Sequence, residues 1–272
     1  MPVTSSSAGQ KVWQLRTRNE SLIRWAAWLT GTAIFLVCWK QISDATTWFF
    51  VWDAPAIAGD ILDRATPPRW SYMDKLWWPI WDTLNIATLG TIGALFLAVP
   101  VAFLAARNTT PSTRFVRPIA LLIIVSTRSI NSLIWALLLI AIIGPGVFAG
   151  IIAIAIRSIG FCAKLLYEAI EEIDKSQVEA VSATGASPMQ VMAYGIVPQI
   201  LPAFAGVAVF RWDINIREST VLGLVGAGGI GLQLQASLNT LAWPQVSLIL
   251  LVILFAVVVS EWVSAKVRGA II

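Results

Sequence analysis

Long runs of apolar residues separated by short polar stretches dominate this chain, at about 22–42, 79–105, 117–143, 147–169, 199–224 and 243–265. Each has roughly the 20 residues that a helix needs to cross a hydrocarbon core of about 30 Å. The runs do not alternate apolar and polar positions as barrel strands do, so the pattern predicts helices. No small-residue cleavage site follows the first run, and further runs come after it, which makes it an uncleaved span rather than a signal peptide. Residues 43–78 form a polar excursion, with Asp44, Asp53, Asp60, Asp63 and Asp74 beside Pro55, Pro67 and Pro68, and with room for a short helix lying on the membrane. The longest polar stretch after it is 168–198. Residues 1–20 are polar and basic (Lys11, Arg16, Arg18) and read as a tail leading into the first span.

Composition points the same way. Of 272 residues, 57% are hydrophobic and 12% charged, where a soluble domain carries about a quarter charged residues. The fold class expected is an all-α membrane protein with six transmembrane helices. Tryptophans at positions such as Trp25, Trp28, Trp39, Trp48, Trp77, Trp78, Trp81, Trp243 and Trp262 fall near the predicted span ends, as interfacial belts do. With the N-terminus in the cytoplasm, six spans place Arg107, Arg114, Arg117, Lys164, Lys175, Lys266 and Arg268 inside with the basic tail. Lys40, Arg64, Arg69 and Lys75 then lie in the first outer loop, and the other outer loops have no basic residue. The positive-inside rule therefore predicts both ends inside, and it accounts for the net charge of +4 without nucleic acid as a partner. The chain has no histidine, and its two cysteines, Cys38 and Cys162, both lie in apolar runs. That excludes a histidine triad, a zinc site and a disulfide framework, and it makes both cysteines small buried hydrophobes.

The stretch from Glu179 to Pro188, running on to Pro198, reads as a short amphipathic helix, a glycine stop at Gly185, and a second helix started by Ser187 and Pro188. One reading is an ordinary connection between spans. The sharper one is a helical knob that seats in a groove of a soluble partner. These residues resemble the coupling motif of ABC-importer permeases: Glu-Ala-Ala, three residues, Gly, nine residues, Ile-x-Leu-Pro. Glu179, Ala180, Gly185 and Pro198 keep the motif, while Val181, Gly195 and Val197 depart from it. Gly195 is the notable departure, because it lacks a side chain that could pack on an ATPase or a neighbouring span. Asn215 to Gly223 and Val225 to Gly231 resemble permeases of phosphonate-type importers, which serve phosphonates and phosphite.

The resemblance covers roughly 79–268 and implies a five-helix, methionine-importer-like core, preceded by one extra helix in residues 1–78. It further implies a homodimer in the bacterial inner membrane, two cytosolic ABC ATPases and a periplasmic substrate-binding protein. The loop at 174–198 would couple to the ATPase through Glu179, Ala180, Gly185, Ala186, Ser187 and Pro188.

Two further motifs bear on chemistry. Gly226-x-Gly228-x-x-Gly231 matches a dinucleotide fingerprint, but it sits at the end of a span without a βαβ unit. Gly226, Gly228, Gly229 and Gly231 are better read as tight turns at an outer gate. No Walker A sequence is present, so the chain is expected to be a translocating subunit with no cofactor or metal of its own. ATP and Mg would be bound by the partner ATPase.

Arg128, Arg157, Arg211, Asp213, Arg217 and Glu218 fall inside predicted spans, and a central charge costs about 2.5–3.5 kcal/mol on the insertion scale. At about 100° per residue, Asp213 and Arg217 form an i,i+4 pair, expected to be structural, while Arg211, Asn215 and Glu218 share the opposite face. The substrate path is therefore assigned to Arg128, Asn131, Arg157, Arg211, Asn215 and Glu218. Four arginines against two acids suit an oxyanion, since a guanidinium matches phosphate-like geometry. The competing reading bonds Arg128 or Arg157 to backbone carbonyls, or to Glu218 from another span. The rival class is an ion-coupled secondary transporter or channel, which predicts inverted repeats or broken helices and no docking loop. No repeat is visible. A purely structural scaffold has no use for the intramembrane arginines.

Overall fold

The computed structural model of the chain describes residues 3–5, 11–13 and 18–271. It divides into two compact units, one up to Leu62 and one from Asp63 onward. In the first, β1 (Val3–Ser5) pairs antiparallel with β2 (Lys11–Trp13); the remainder of the basic tail lies outside the described residues. Helix α1 (Arg18–Ala45) is apolar on every side, as a span is, and none of its described residues is buried. Cys38 on it is exposed, contrary to the burial expected of it, whereas Cys162 is buried. Helix α2 (Trp48–Ala65) fills half of the expected polar excursion. Asp53, Asp60 and Arg64 fall on one side of it and Val51, Ala58 and Leu62 on the opposite side.

The second unit is helical throughout its described length. Helix α3 (Met73–Ala105) starts straight after a 3₁₀ turn at Trp70–Tyr72, ahead of the expected start at 79, with Asp74 favourably placed in its first turn. It is followed by α4 (Val116–Ser129), α5 (Ser132–Ile143), α6 (Val147–Glu171), α7 (Lys175–Ala183) and α8 (Pro188–Val191). A π turn (Met192–Ile196) leads into α9 (Val197–Gly223), then α10 (Ile230–Asn239) and α11 (Trp243–Ile271).

The run at 117–143, expected as one span, is two helices meeting at 87°. Asn131 takes an extended backbone and its side chain accepts from the Leu133 amide, an N-cap set within an apolar run. Thr127 and Ser129 bond back to the carbonyls of Ile123 and Val125, which weakens the helical turn just before the break. Among the described residues, five helical segments are long and apolar enough to cross a membrane, and the broken pair makes a sixth crossing if it counts as one span.

Helix α3 packs most extensively on α6, and α9 lies against both. Small residues make this possible: a Cβ on Gly90 would stand 2.8 Å from the Ile154 side chain. One apolar cluster, including Ala98, Ala102, Cys162, Leu166, Ile196 and Ile200, closes the end of the core nearest α7. A second, including Ile86, Ala136, Ile154, Leu222 and Ala227, closes the other end. On α3, α6 and α9 alike, the residues between these clusters carry a layer of polar side chains.

Candidate translocation site and docking loop

Thr91 of α3, Ser158 of α6 and Arg211 and Asn215 of α9 form the heart of this layer, and all four are buried. Asn215 donates to Thr91 Oγ1 at 2.7 Å and to Ser158 Oγ at 3.2 Å. Arg211 donates from Nε to Ser158 at 2.9 Å, and its guanidinium lies 5.1 Å from the centre of the Phe161 ring. Two helical turns on, Glu218 receives both Arg211, at 3.4 Å, and Arg157 of α6, at 2.6 Å. Arg157 also reaches Ser132, the first residue of α5, at 3.4 Å. A single carboxylate thus joins arginines from two helices beside the break between α4 and α5.

Asp213 and Arg217 pair on another side of α9. Asp213 is buried and accepts a second bond, at 2.8 Å, from Ser260 of α11, so this pair ties α9 to α11. Phe210, Ile214, Arg217, Glu218 and Val221 line an open recess along α9.

Of the six residues assigned to a path, the structure brings together Arg157, Arg211, Asn215 and Glu218. Asn131 joins at the edge through Ser132, 3.2 Å away. Arg128 stands apart: it is exposed at the last turn of α4 and is not bonded into the layer. The charge balance changes too, because Arg157 finds its acid 61 residues away in Glu218. Sequence reasoning missed Thr91, Ser132, Ser158, Phe161 and Ser260. For the threonine and the serines the signal was small polar residues inside apolar runs, visible one at a time but not as a set; Phe161 gave none.

The loop at 174–198 is built differently. Asp174 caps α7 by accepting from the Ser176 amide and hydroxyl, and these bonds hold its carboxyl below the usual carboxylate range. Gly185 ends the segment at φ +78°, a conformation that disfavours a Cβ. Ser187 and Gln190 form a reciprocal capping box with Pro188 at the first turn of α8. Glu179, Ala180, Ser187, Pro188 and Met189 are all exposed, so this face of the knob is uncovered among the described residues. Gly195 is buried against Val178 of α7 itself, not against a neighbouring span; a Cβ there would meet the Val178 backbone at 3.4 Å. Gln199, at the start of α9, accepts from the Asp174 amide at 2.9 Å and donates to the Gly195 carbonyl at 2.6 Å. That side chain fastens the base of α7 to α9.

The glycine segment between α9 and α10 holds Gly226, Gly228 and Gly229 at positive φ, and Gly231 lies against the end of α9. The next amide, Ile230, donates to Thr83 of α3 at 2.8 Å, so the segment folds back onto the core. Among the described residues, no group of three acids or cysteines is placed to hold a metal ion.

This core of α3, the broken α4–α5 pair, α6, α9 and α11 is the fold of an ABC-importer permease. It matches a chain of the inward-facing MetNI methionine ABC transporter with TM-score 0.65, covering 75% of this chain and 99% of that one at 22% identity. A bacterial ABC transporter for the import of the acidic polysaccharide alginate matches with TM-score 0.57 over 89% of this chain and 99% of that one, at 17% identity. The chain belongs to the family of binding-protein-dependent transport system inner membrane components, which matches residues 98–267. It is 40% identical over 236 residues to the phosphite transport system permease protein PtxC of Stutzerimonas stutzeri, covering 86% of this chain and 84% of that protein. It is 39% identical over 208 residues to the phosphate-import permease protein PhnE of Mycolicibacterium smegmatis, covering 76% of this chain and 39% of that one. The protein is therefore a multi-pass inner-membrane permease.

Proposed function

We propose that the chain is the translocating subunit of an ATP-driven importer that moves a phosphorus oxyanion, phosphonate or phosphite, from periplasm to cytoplasm. The observation that carries this reading is the 40% identity to a phosphite-transport permease across most of both chains. Two other features support it: an exposed helical knob at α7–α8 and an arginine-containing layer within the spans. In this reading two copies pair, two cytosolic ATPases hold ATP and Mg, and a periplasmic binding protein delivers the substrate. Both chain ends and α7–α8 face the cytoplasm. Glu179, Ala180, Gly185, Ala186, Ser187 and Pro188 form the seat for the ATPase. Nucleotide-driven closure moves α7, and the Gln199 link carries that motion to α9, the helix bearing Arg211, Asn215 and Glu218. The layer passes the anion between protomers, and the glycine segment closes the outer side.

The bend between α4 and α5 is a broken helix, a feature that also favours the rival transporter working without an ATPase. One experiment separates them. The purified chain is expected to bring down a cytosolic ABC ATPase, and Glu179→Arg to abolish that capture and ATP-driven uptake together. Uptake by the chain without any ATPase would overturn the proposal. Stimulation of ATP hydrolysis only by binding protein carrying a cationic or neutral ligand would overturn the oxyanion assignment.

A further inference from the structure

The two arginines that share Glu218 are not equivalent. The Arg211 side chain is 3% exposed and held by Nε on Ser158, Nη2 on both carboxylate oxygens and the Phe161 ring against its face. The Arg157 side chain is 29% exposed and its Glu218 partner 16%. Both hydrogen bonds of Arg157 leave from one nitrogen, Nη1, toward Glu218 and Ser132. The edge made by Nε and Nη2 has no bonded partner among the described residues. That edge is the fork which takes two oxygens of a tetrahedral oxyanion. The layer also carries an excess charge, because two guanidiniums face one carboxylate.

We infer that Glu218 is a displaceable counter-ion, holding Arg157 between transport events and yielding that guanidinium to an incoming phosphorus oxyanion. The inference rests on the importer reading above and names how its substrate is handled. A bare arginine at this depth is costly to keep, and one without a competitor would bind the anion too tightly to release it. An internal carboxylate answers both problems. It neutralises Arg157 when the path is empty, and it competes the anion off once the path opens inward. Arg211 stays bound to the Ser158–Asn215 network and holds Glu218 close enough to return.

The test uses the permease with its ATPase in nanodiscs, titrated calorimetrically with phosphite and with methylphosphonate, and with chloride as the control anion. Removing the competing charge in Glu218→Gln is expected to tighten phosphite binding about tenfold and to slow ATP-driven uptake. Arg157→Lys keeps the charge but loses the fork, and is expected to weaken phosphite binding about tenfold. Unchanged or weaker binding in Glu218→Gln overturns the inference, as does undetectable binding in both this variant and the wild type. Should Glu218→Gln fail to fold, Arg157→Lys decides alone: phosphite binding weakened about tenfold or more in the folded variant supports the inference, and unweakened binding overturns it. A wild-type complex that takes up neither phosphite nor methylphosphonate with ATP would instead refute the importer reading. Wild-type uptake with an unaltered Glu218→Gln affinity refutes only the counter-ion.

Discussion

The polar layer within the spans and the α7–α8 knob are both rich in polar side chains, yet they are held by opposite means. In the layer, every bond to Asn215 and the bond of Arg157 to Glu218 join different helices, across separations of 57 to 124 residues. In the knob, the capping bonds of Asp174 and Ser187 reach two or three residues along the chain. The difference follows from solvent. A polar group buried between helices must find its partners in the protein, whereas an exposed loop can leave its side chains to water and a partner protein. One region thus contributes its polarity to the packed core, and the other keeps its polarity available.

Mutations should expose that contrast. The largest effect is expected for Arg211→Ala, which leaves Ser158 with Asn215 alone and Glu218 with Arg157 alone. It should cost about 2–3 kcal/mol, seen as a fall in the thermal unfolding midpoint in detergent. A stable Arg211→Ala protein would show that the layer is not structural. Asn215→Ala removes the bridge from α9 to Thr91 and Ser158, and about 1–2 kcal/mol is expected by the same measurement. On the other side of the comparison, Ser187→Ala breaks the capping box and should cost about 1 kcal/mol. That loss should appear as faster amide exchange confined to α8 and the π turn, with the global midpoint almost unmoved. The smallest effect concerns acid. The carboxyl of Asp174 is held below its ordinary range in the folded loop by Ser176, so its cap is in place above the ordinary carboxylate range and is lost as pH falls through the lowered value. Amide exchange at Ser176 should accelerate over that acidic window while the amides of α6 and α9 stay protected. Uniform acceleration would mean that loop and core unfold as one unit.

Much of this was legible in the order of residues. The apolar runs located the spans. The i,i+4 spacing paired Asp213 with Arg217, and the helical period put Arg211, Asn215 and Glu218 on one face. The loop's helix, glycine stop and second N-cap follow from residues within about ten positions of each other, where local chemistry decides. The break at Ile130–Asn131 was harder to see, because neither proline nor glycine marks it. An N-cap asparagine inside an apolar run is a weak signal until its partner amide is known. Arg128 and Arg157 looked alike as unpaired intramembrane arginines. Only packing separates them, placing Arg157 against Glu218 and leaving Arg128 exposed on α4.

Short-range physics, hydrophobic length and helical period, therefore determined from the sequence alone that this is a helical membrane protein with a capped, exposed loop. The tertiary structure decided which charges meet. Small residues on α3 and α6 draw the helices close enough for side chains far apart in sequence to share one buried layer, and nothing local records that approach.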